Sequence, residues 1–224
     1  LVEQLLKDGH FVINIDNFDD FYDYKIKIKN TLESVQQSTD FNFSDKENDI
    51  QKLINQTKSE NYILHYADIR DKEALSEIFK NHKIDVLIHL AALAGVRPSI
   101  EKPLDYEEVN IKGTMNLWEL CKEFNVKKNV IASSSSVYGN NDKIPFSETD
   151  NVDRPISPYA ATKKCTEILG HVYHHLYGID MIFQRFFTVF GPRQRPDLAI
   201  HKFTKLISEN QEIPFYGDGS TARD

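Results

Sequence analysis

The sequence contains no apolar run of the ~18 residues that a membrane-spanning helix needs, so no segment reads as a helical span. It shows no signal peptide, and it does not open with Met. Cysteine is scarce. Cys121 and Cys165 stand alone, without the paired spacing of a metal site or a disulfide framework. Free thiols in a reducing, cytoplasmic compartment are the expectation. A basic excess is missing as well: 27 Lys and Arg against 34 Asp and Glu give a net charge of -7. Nucleic-acid binders usually carry a basic face, so that class is set aside. An anionic small molecule stays compatible, because a local basic pocket can sit in an acidic protein. There is no internal repeat.

What is present is an alternation. The 224 residues suffice for one well-buried domain, or one domain and part of another. Leu1, Val2, Leu5 and Leu6 share a helical face, and Gly9 sits where a C-terminal cap belongs. "FVINI" at 11–15 is a strand ending in Asp16. A polar stretch over about 21–61 reads as a long insertion with one or two surface helices. Then come a strand "YILHYA", a helix "DKEALSEIFKNH" capped by Asp71, and a buried strand "IDVLIHLAA". They are followed by a helix "NIKGTMNLWELCKEF", a strand "KNVIASS", a long helix 159–177 closed by Gly178, and a strand "MIFQRFF". Apolar strands alternating with helices predict an α/β fold, a doubly wound parallel sheet of Rossmann-like type. Ligands of such sheets bind at the carboxyl ends of the strands.

Tyr159 and Lys163 are four apart on the long helix, so they share a face. A phenol ionises near pH ~10 and is a poor base at neutral pH. An adjacent ammonium favours the phenolate. Such a pair can remove a hydroxyl proton as hydride leaves carbon. Taken alone, a Tyr and Lys at this spacing usually mark a plain surface helix, so context decides. Upstream, "ASSSSVYG" ends an apolar strand, where a serine hydroxyl can hydrogen-bond a substrate oxygen.

Strand-end Ser followed by helical Tyr-x-x-x-Lys resembles the Ser–Tyr–Lys arrangement of the short-chain dehydrogenase/reductase family. "HLAALAGVRPSIEKPLDYEEVNIKGT", "SPYAATKKCTEIL", "RFFTVFGPRQRPD" and "YGDGSTARD" are similar to its extended branch, the NAD-dependent nucleotide-sugar epimerases and dehydratases. The similarity spans residues 1–20 and 62–224, with only the polar stretch outside it. The resemblance implies NAD as cofactor. Asp16 would accept hydrogen bonds from the adenosine ribose and repel a 2′-phosphate, with Asn17 beside it. Asp68 and Ile69 would flank adenine. Leu90, Ala91, Ala92 and Ala94 would let backbone approach the cofactor. Asn110, Tyr159, Lys163 and Phe187 complete that set.

The serine run narrows the reaction. Related 4,6-dehydratases carry an Asp-Glu pair, and related decarboxylases a Glu, where this chain has Ser135 and Ser136. Without those acids, elimination loses its proton donor. Ser134 aligns with the catalytic Ser/Thr of the epimerases, and Ser135 is the alternative. Ser134, Tyr159 and Lys163 are therefore the expected catalytic residues of an isomerase, a UDP-hexose 4-epimerase. Dehydratase and decarboxylase readings, and an NAD-sensing scaffold without catalysis, compete with it. The chain is most similar to UDP-glucuronate 4-epimerases, with UDP-glucose and UDP-N-acetylglucosamine as alternative sugars. Arg97, Ser134, Ser135, Thr188 and Arg195 would meet the sugar, and Arg223 the diphosphate. No metal is assigned, and His171, His174 and His175 receive no role. The helices around 113–124 and 159–177 would form a homodimer interface.

Residues 1–190 are expected to form the NAD-binding domain, and 191–224 to begin a substrate subdomain. "LVEQLLKDGH" reads as the second half of the first crossover helix. The resemblance then puts the glycine-rich turn and first strand upstream of Leu1, and the rest of the subdomain beyond Asp224. The isolated chain is expected to bind NAD weakly.

Overall fold

A computed structural model of the chain describes residues 1–214 and 218. These fall into two compact units. One comprises Leu1–Tyr66 with the described part of Thr188–Asp224, and the other is Ala67–Phe187.

The first unit begins with α1 (Val2–Lys7) and continues through β1 (Val12–Asp16), α2 (Tyr24–Ser34), α3 (Lys46–Thr57) and β2 (Tyr62–Tyr66). It ends with the helix Ala199–Ser208. β1 and β2 are parallel, with Val12 opposite Tyr62 and Asp16 opposite Tyr66. The polar stretch expected as an insertion is part of this unit's core. Ile28 and Leu32 on α2, and Ile50 and Leu53 on α3, are fully buried against Val12, Phe18, Tyr62 and Leu64. Each such side chain contributes roughly 1.5–3 kcal/mol of burial. Composition hid this. The stretch holds few apolar residues, but they sit at i, i+4 and i, i+3 and so make one stripe per helix. Asp23 caps α2 and Asp45 caps α3 through backbone N–H groups. Asp49, fully buried, is matched by the Tyr24 hydroxyl at 3.0 Å and by Ser44 N–H and Oγ–H at 2.9 Å each.

In the second unit the chain runs through α4 (Lys72–Asn81), β3 (Val86–His89), α5 (Val96–Glu101), α6 (Pro103–Glu107), a π-helical turn (Glu108–Gly113) and α7 (Thr114–Glu123). It continues through β4 (Lys128–Ala132), a 3-10 turn (Ser135–Tyr138), α8 (Pro158–Tyr177) and β5 (Asp180–Gln184). Asp71 caps α4 as expected, accepting from Ala74 N–H at 3.0 Å. Gly178 closes α8 at φ +61, the left-handed conformation that glycine adopts without penalty. β3, β4 and β5 are parallel in that order.

The fold is α/β with parallel strands, as expected, but the strands form two sheets, β1–β2 and β3–β4–β5. Among the described residues no strand pairs with both β1 and β3. The ladders are also shorter than the apolar runs that announce them. β3 ends at His89 although the run continues to Ala92, and β5 ends at Gln184. A ladder needs an adjacent backbone in register, which an apolar run alone does not supply, and the run expected as a buried strand is exposed at Val86, Leu90 and Ala91.

α8 lies against β5 at a glycine. A Cβ on Gly170 would sit 2.2 Å from the tip of the Phe183 ring, and that ring already meets Trp118 edge-on at 6.3 Å. Gly170→Ala should therefore cost about 1–3 kcal/mol by overpacking. Urea denaturation is the measurement, and Phe183→Leu in the same background should recover most of the loss.

Candidate active site

Ser157 caps α8 by accepting from Ala160 N–H at 3.1 Å, and Pro158 occupies the first helical position. Tyr159 thus falls in the first turn, and Lys163 and Glu167 follow on the same face. Tyr159 is half-buried and packs edge-on against Tyr106, centroids 6.2 Å apart. Its hydroxyl has no hydrogen-bond partner among the described residues. Lys163 is buried, and its Nζ donates to the Ala132 carbonyl at 2.7 Å. Burial penalises the ammonium and pushes Lys163 down to about 8.

Ala132 ends β4, and the serines follow immediately. Ser134 is buried, extended at φ -154, and its Oγ accepts from Ser136 N–H at 3.2 Å. A hydroxyl that accepts still holds its own proton to donate. Ser135 is tied by its N–H to the Phe186 carbonyl at 2.9 Å. Ser134, Tyr159 and Lys163 therefore belong to one structural unit, at one strand exit and one helix face.

Asn110 holds the neighbouring loop. It lies in the π-helical turn, a distortion often found at functional sites. Its Oδ1 accepts from Leu93 N–H at 2.8 Å, and its Nδ2 donates to Leu93 O at 3.0 Å and Thr162 Oγ1 at 3.1 Å. Both amide protons are used within the protein. The Asn110 side chain joins the loop carrying Leu90, Ala91, Ala92 and Ala94 to the first turns of α8. Leu90 and Ala91 are exposed there, and Ala92 and Ala94 half-buried.

Behind Asn110 lies a group that sequence reasoning passed over. His89 Nε2 is 2.9 Å from Thr114 Oγ1, and Thr114 donates its single hydroxyl proton to the Asn110 carbonyl at 2.6 Å. His89 must then be the donor to Thr114. Complete burial, with the Lys163 charge as a lesser cause, pushes His89 down to about 3, so it is neutral. A polar residue closing an apolar strand was the available signal.

The other expected residues are placed as follows. Asp68 is held by Arg70 through two hydrogen bonds of 2.9 and 2.8 Å. Ile69 is buried against Gly113, where a Cβ would approach it to 2.7 Å. Arg97 is exposed. Phe187 is exposed and stacks with Tyr138 and Phe146. In the first unit, Asp16 accepts from Phe18 N–H at 2.6 Å, and Asn17 accepts from Asp19 N–H at 3.0 Å. Thr188 is exposed. Arg195, expected to meet a ligand carboxylate, pairs with Asp197 at 2.5 and 2.9 Å over the Phe21 ring. Arg223 lies outside the described residues. Among the described residues no cluster of three metal-binding side chains exists. Cys121 is buried, and its thiol is pushed up to about 12 by that burial.

The family model described as GDP-mannose 4,6 dehydratase matches residues 29–224. The chain belongs to that family. A UDP-glucuronate 4-epimerase of Thermodesulfobacterium geofontis is 45% identical over 222 residues, covering 99% of this chain and 62% of the relative. UDP-glucuronic acid 4-epimerase from Bacillus cereus, in complex with UDP-glucuronic acid and NAD, superposes with a TM-score of 0.80 at 33% identity. That match covers 100% of this chain and 63% of the other. UDP-N-acetylglucosamine 4-epimerase from Methanobrevibacter ruminantium M1 superposes with a TM-score of 0.77, also at 33% identity, covering 100% and 63%. The chain spans about six-tenths of the length of the first curated relatives it matches, at 62%, 60% and 59%. The family match starts at residue 29, so the polar stretch from there to residue 61 lies inside the family pattern, contrary to the sequence expectation. Its two helices, each burying one apolar stripe in the unit's core, are the physical reason.

In this member of the GDP-mannose 4,6 dehydratase family, His89 should make the fold acid-sensitive. Its folded value of about 3 lies below the ordinary 6.5, so under pH 6.5 the unfolded chain takes up a proton that the folded chain refuses. Stability is then lost as pH falls from 6.5 toward about 3, by up to ~1.4 kcal/mol per pH unit. Urea midpoints at pH 7, 6 and 5 should fall in that order, and the fall should be shallower in His89→Gln, whose amide can still donate to Thr114.

Proposed function

We propose that the chain forms the core of an NAD-dependent UDP-hexose 4-epimerase, and that its sugar is UDP-glucuronate, inverted to UDP-galacturonate. The observation that carries this reading is the Ser134, Tyr159 and Lys163 set, with Tyr159's hydroxyl unpartnered among the described residues and serines rather than acids at 135 and 136. The names of the relatives support it.

The residues present fit NAD. One Asp16 oxygen receives Phe18 N–H, and the other has no partner among the described residues, which suits a ribose hydroxyl as donor. Ala91, Ala92 and Ala94 present little side chain, so backbone can approach a flat ring. Asn17, Asp68, Ile69, Leu90, Asn110 and Phe187 are assigned to the same cofactor. When bound, NAD supplies the hydride acceptor and donor.

The chain's own residues handle the proton and the orientation. Tyr159 takes the C4 hydroxyl proton and later returns it. Lys163, held on the Ala132 carbonyl, places its ammonium one helical turn from Tyr159, on the same face. Ser134 keeps its proton and donates a hydrogen bond through it to the C4 oxygen. The keto sugar turns over between oxidation and reduction, so the second face of C4 is the one reduced. Serine at 135 and 136 offers no acid to protonate a leaving hydroxyl, which disfavours dehydration.

Thr188 and Arg195 are assigned to the hexose carboxylate, with Arg97 and Ser135 at the sugar and Arg223 at the diphosphate. A second reading, a UDP-glucose or UDP-N-acetylglucosamine 4-epimerase, is favoured by one observation: Asp197 already occupies the Arg195 guanidinium. Residues 1–190 are assigned to cofactor binding and 191–224 to the substrate side. A cytoplasmic homodimer completes the proposal. α8 exposes Ile168, Val172 and Leu176 at helical spacing, an apolar stripe that a second copy would cover.

The test follows both sugars by NMR in the whole protein. UDP-glucuronate should give its 4-epimer faster than UDP-glucose does. Tyr159→Phe should lower kcat by about 10²–10⁴-fold, the range of general acid–base catalysis. Inversion of neither sugar, or an unchanged Tyr159→Phe variant, overturns the reading.

A further inference from the structure

The helix face that carries Tyr159 and Lys163 continues to a third residue, Glu167, which plays no part in the chemistry above. Its side chain is 9% exposed and anchors a cluster. Ser133 Oγ donates to Oε1 at 2.6 Å, Arg185 Nε donates to Oε1 at 3.0 Å, and Arg185 Nη2 donates to Oε2 at 2.9 Å. Arg185 comes from the exit of β5. It lies over the Tyr138 ring at 5.1 Å and donates to the Glu148 carbonyl at 3.2 Å.

Two consecutive residues of one strand exit are thus gripped by two consecutive turns of one helix. Lys163 takes the Ala132 carbonyl at 2.7 Å, and Glu167 takes the Ser133 hydroxyl. The next residue is Ser134. The β5 exit is tied to the same loop, because Ser135 N–H donates to the Phe186 carbonyl at 2.9 Å. A buried ion pair seldom adds net stability over a well-packed apolar pair. Its directional bonds do restrict geometry, and acid–base catalysis depends on geometry to within about half an ångström.

We propose that Glu167 is a positioning residue: its carboxylate, bonded to Ser133 and Arg185, fixes the strand exit that presents Ser134 against the helix that presents Tyr159 and Lys163. This rests on the epimerase reading above. Glu167 touches no reacting atom in this scheme and acts through the backbone at 133–135.

Two variants test it in the whole protein. Ser133→Ala removes one bond and leaves the Glu167–Arg185 pair intact, so it should fold. Glu167→Gln keeps the size and an acceptor but removes the charge that holds Arg185. Two measurements are made on each: steady-state sugar inversion, and backbone amide exchange over 133–138. Ser133→Ala should lower kcat about tenfold with KM within about twofold, and Glu167→Gln about a hundredfold, as expected for loss of alignment. Exchange over 133–138 should speed up about tenfold in both, with α4 unchanged as the internal control. A Ser133→Ala variant with wild-type kcat overturns the proposal, as does unchanged exchange over 133–138. If the wild type inverts neither sugar, the epimerase reading fails instead, and exchange in Ser133→Ala alone then decides the clamp.

Discussion

Lys163 places an ammonium where water is excluded and gives it the last carbonyl of β4 as partner. A buried charge is costly unless it is hydrogen-bonded, and this one is held by backbone rather than by a counter-ion. Such a bond can form only if the carbonyl direction and the helix register agree. The carbonyl direction comes from the β3–β4–β5 ladder, in which Ala132 lies opposite Gln184. The register comes from the start and end of α8, set by the Ser157 cap and the left-handed Gly178. A slip of one residue in either element would leave the ammonium unsatisfied. The second unit is organised around avoiding that outcome.

The surrounding polar groups extend the same logic. Asn110 uses both amide protons and an oxygen lone pair to bind the 90–94 loop to α8, and Thr114 passes the connection on to a neutral His89. Glu167 ties the two strand exits together. A buried polar network of this kind specifies one arrangement sharply, because every unmade bond leaves a desolvated group unpaired. Tyr159 is the contrast. It is half-buried, packed on one edge by Tyr106, with its hydroxyl unpartnered among the described residues. The atom left unsatisfied is the one that acid–base chemistry would use.

Legibility in the sequence followed the range of the interaction. Tyr159 and Lys163 could be paired from spacing alone, since one helical turn separates them. Asp71 and Gly178 were readable as caps for the same reason. The 21–61 segment was misjudged because its average is polar, whereas burial depends on the few positions that share a face: Ile28 with Leu32, and Ile50 with Leu53. Asn110 was noticed through its motif, but its partners Leu93 and Thr162 lie 17 and 52 residues away. The Arg195–Asp197 pair spans two residues and is as local as a cap, yet no periodicity announces it.

The sequence by itself determined the local periodicities, the caps, and the residue types available at each strand end. Those depend on contacts within a turn or two, and the chain order specifies them completely. Only the tertiary structure decided which donor meets which acceptor. It joined Ser133 to Glu167, 34 residues on, and His89 to Thr114, 25 residues on, and it brought Arg185 to Glu167 from another strand. Such pairings form when packing removes water and leaves each buried polar group a single partner within reach, a condition that no local window of sequence contains.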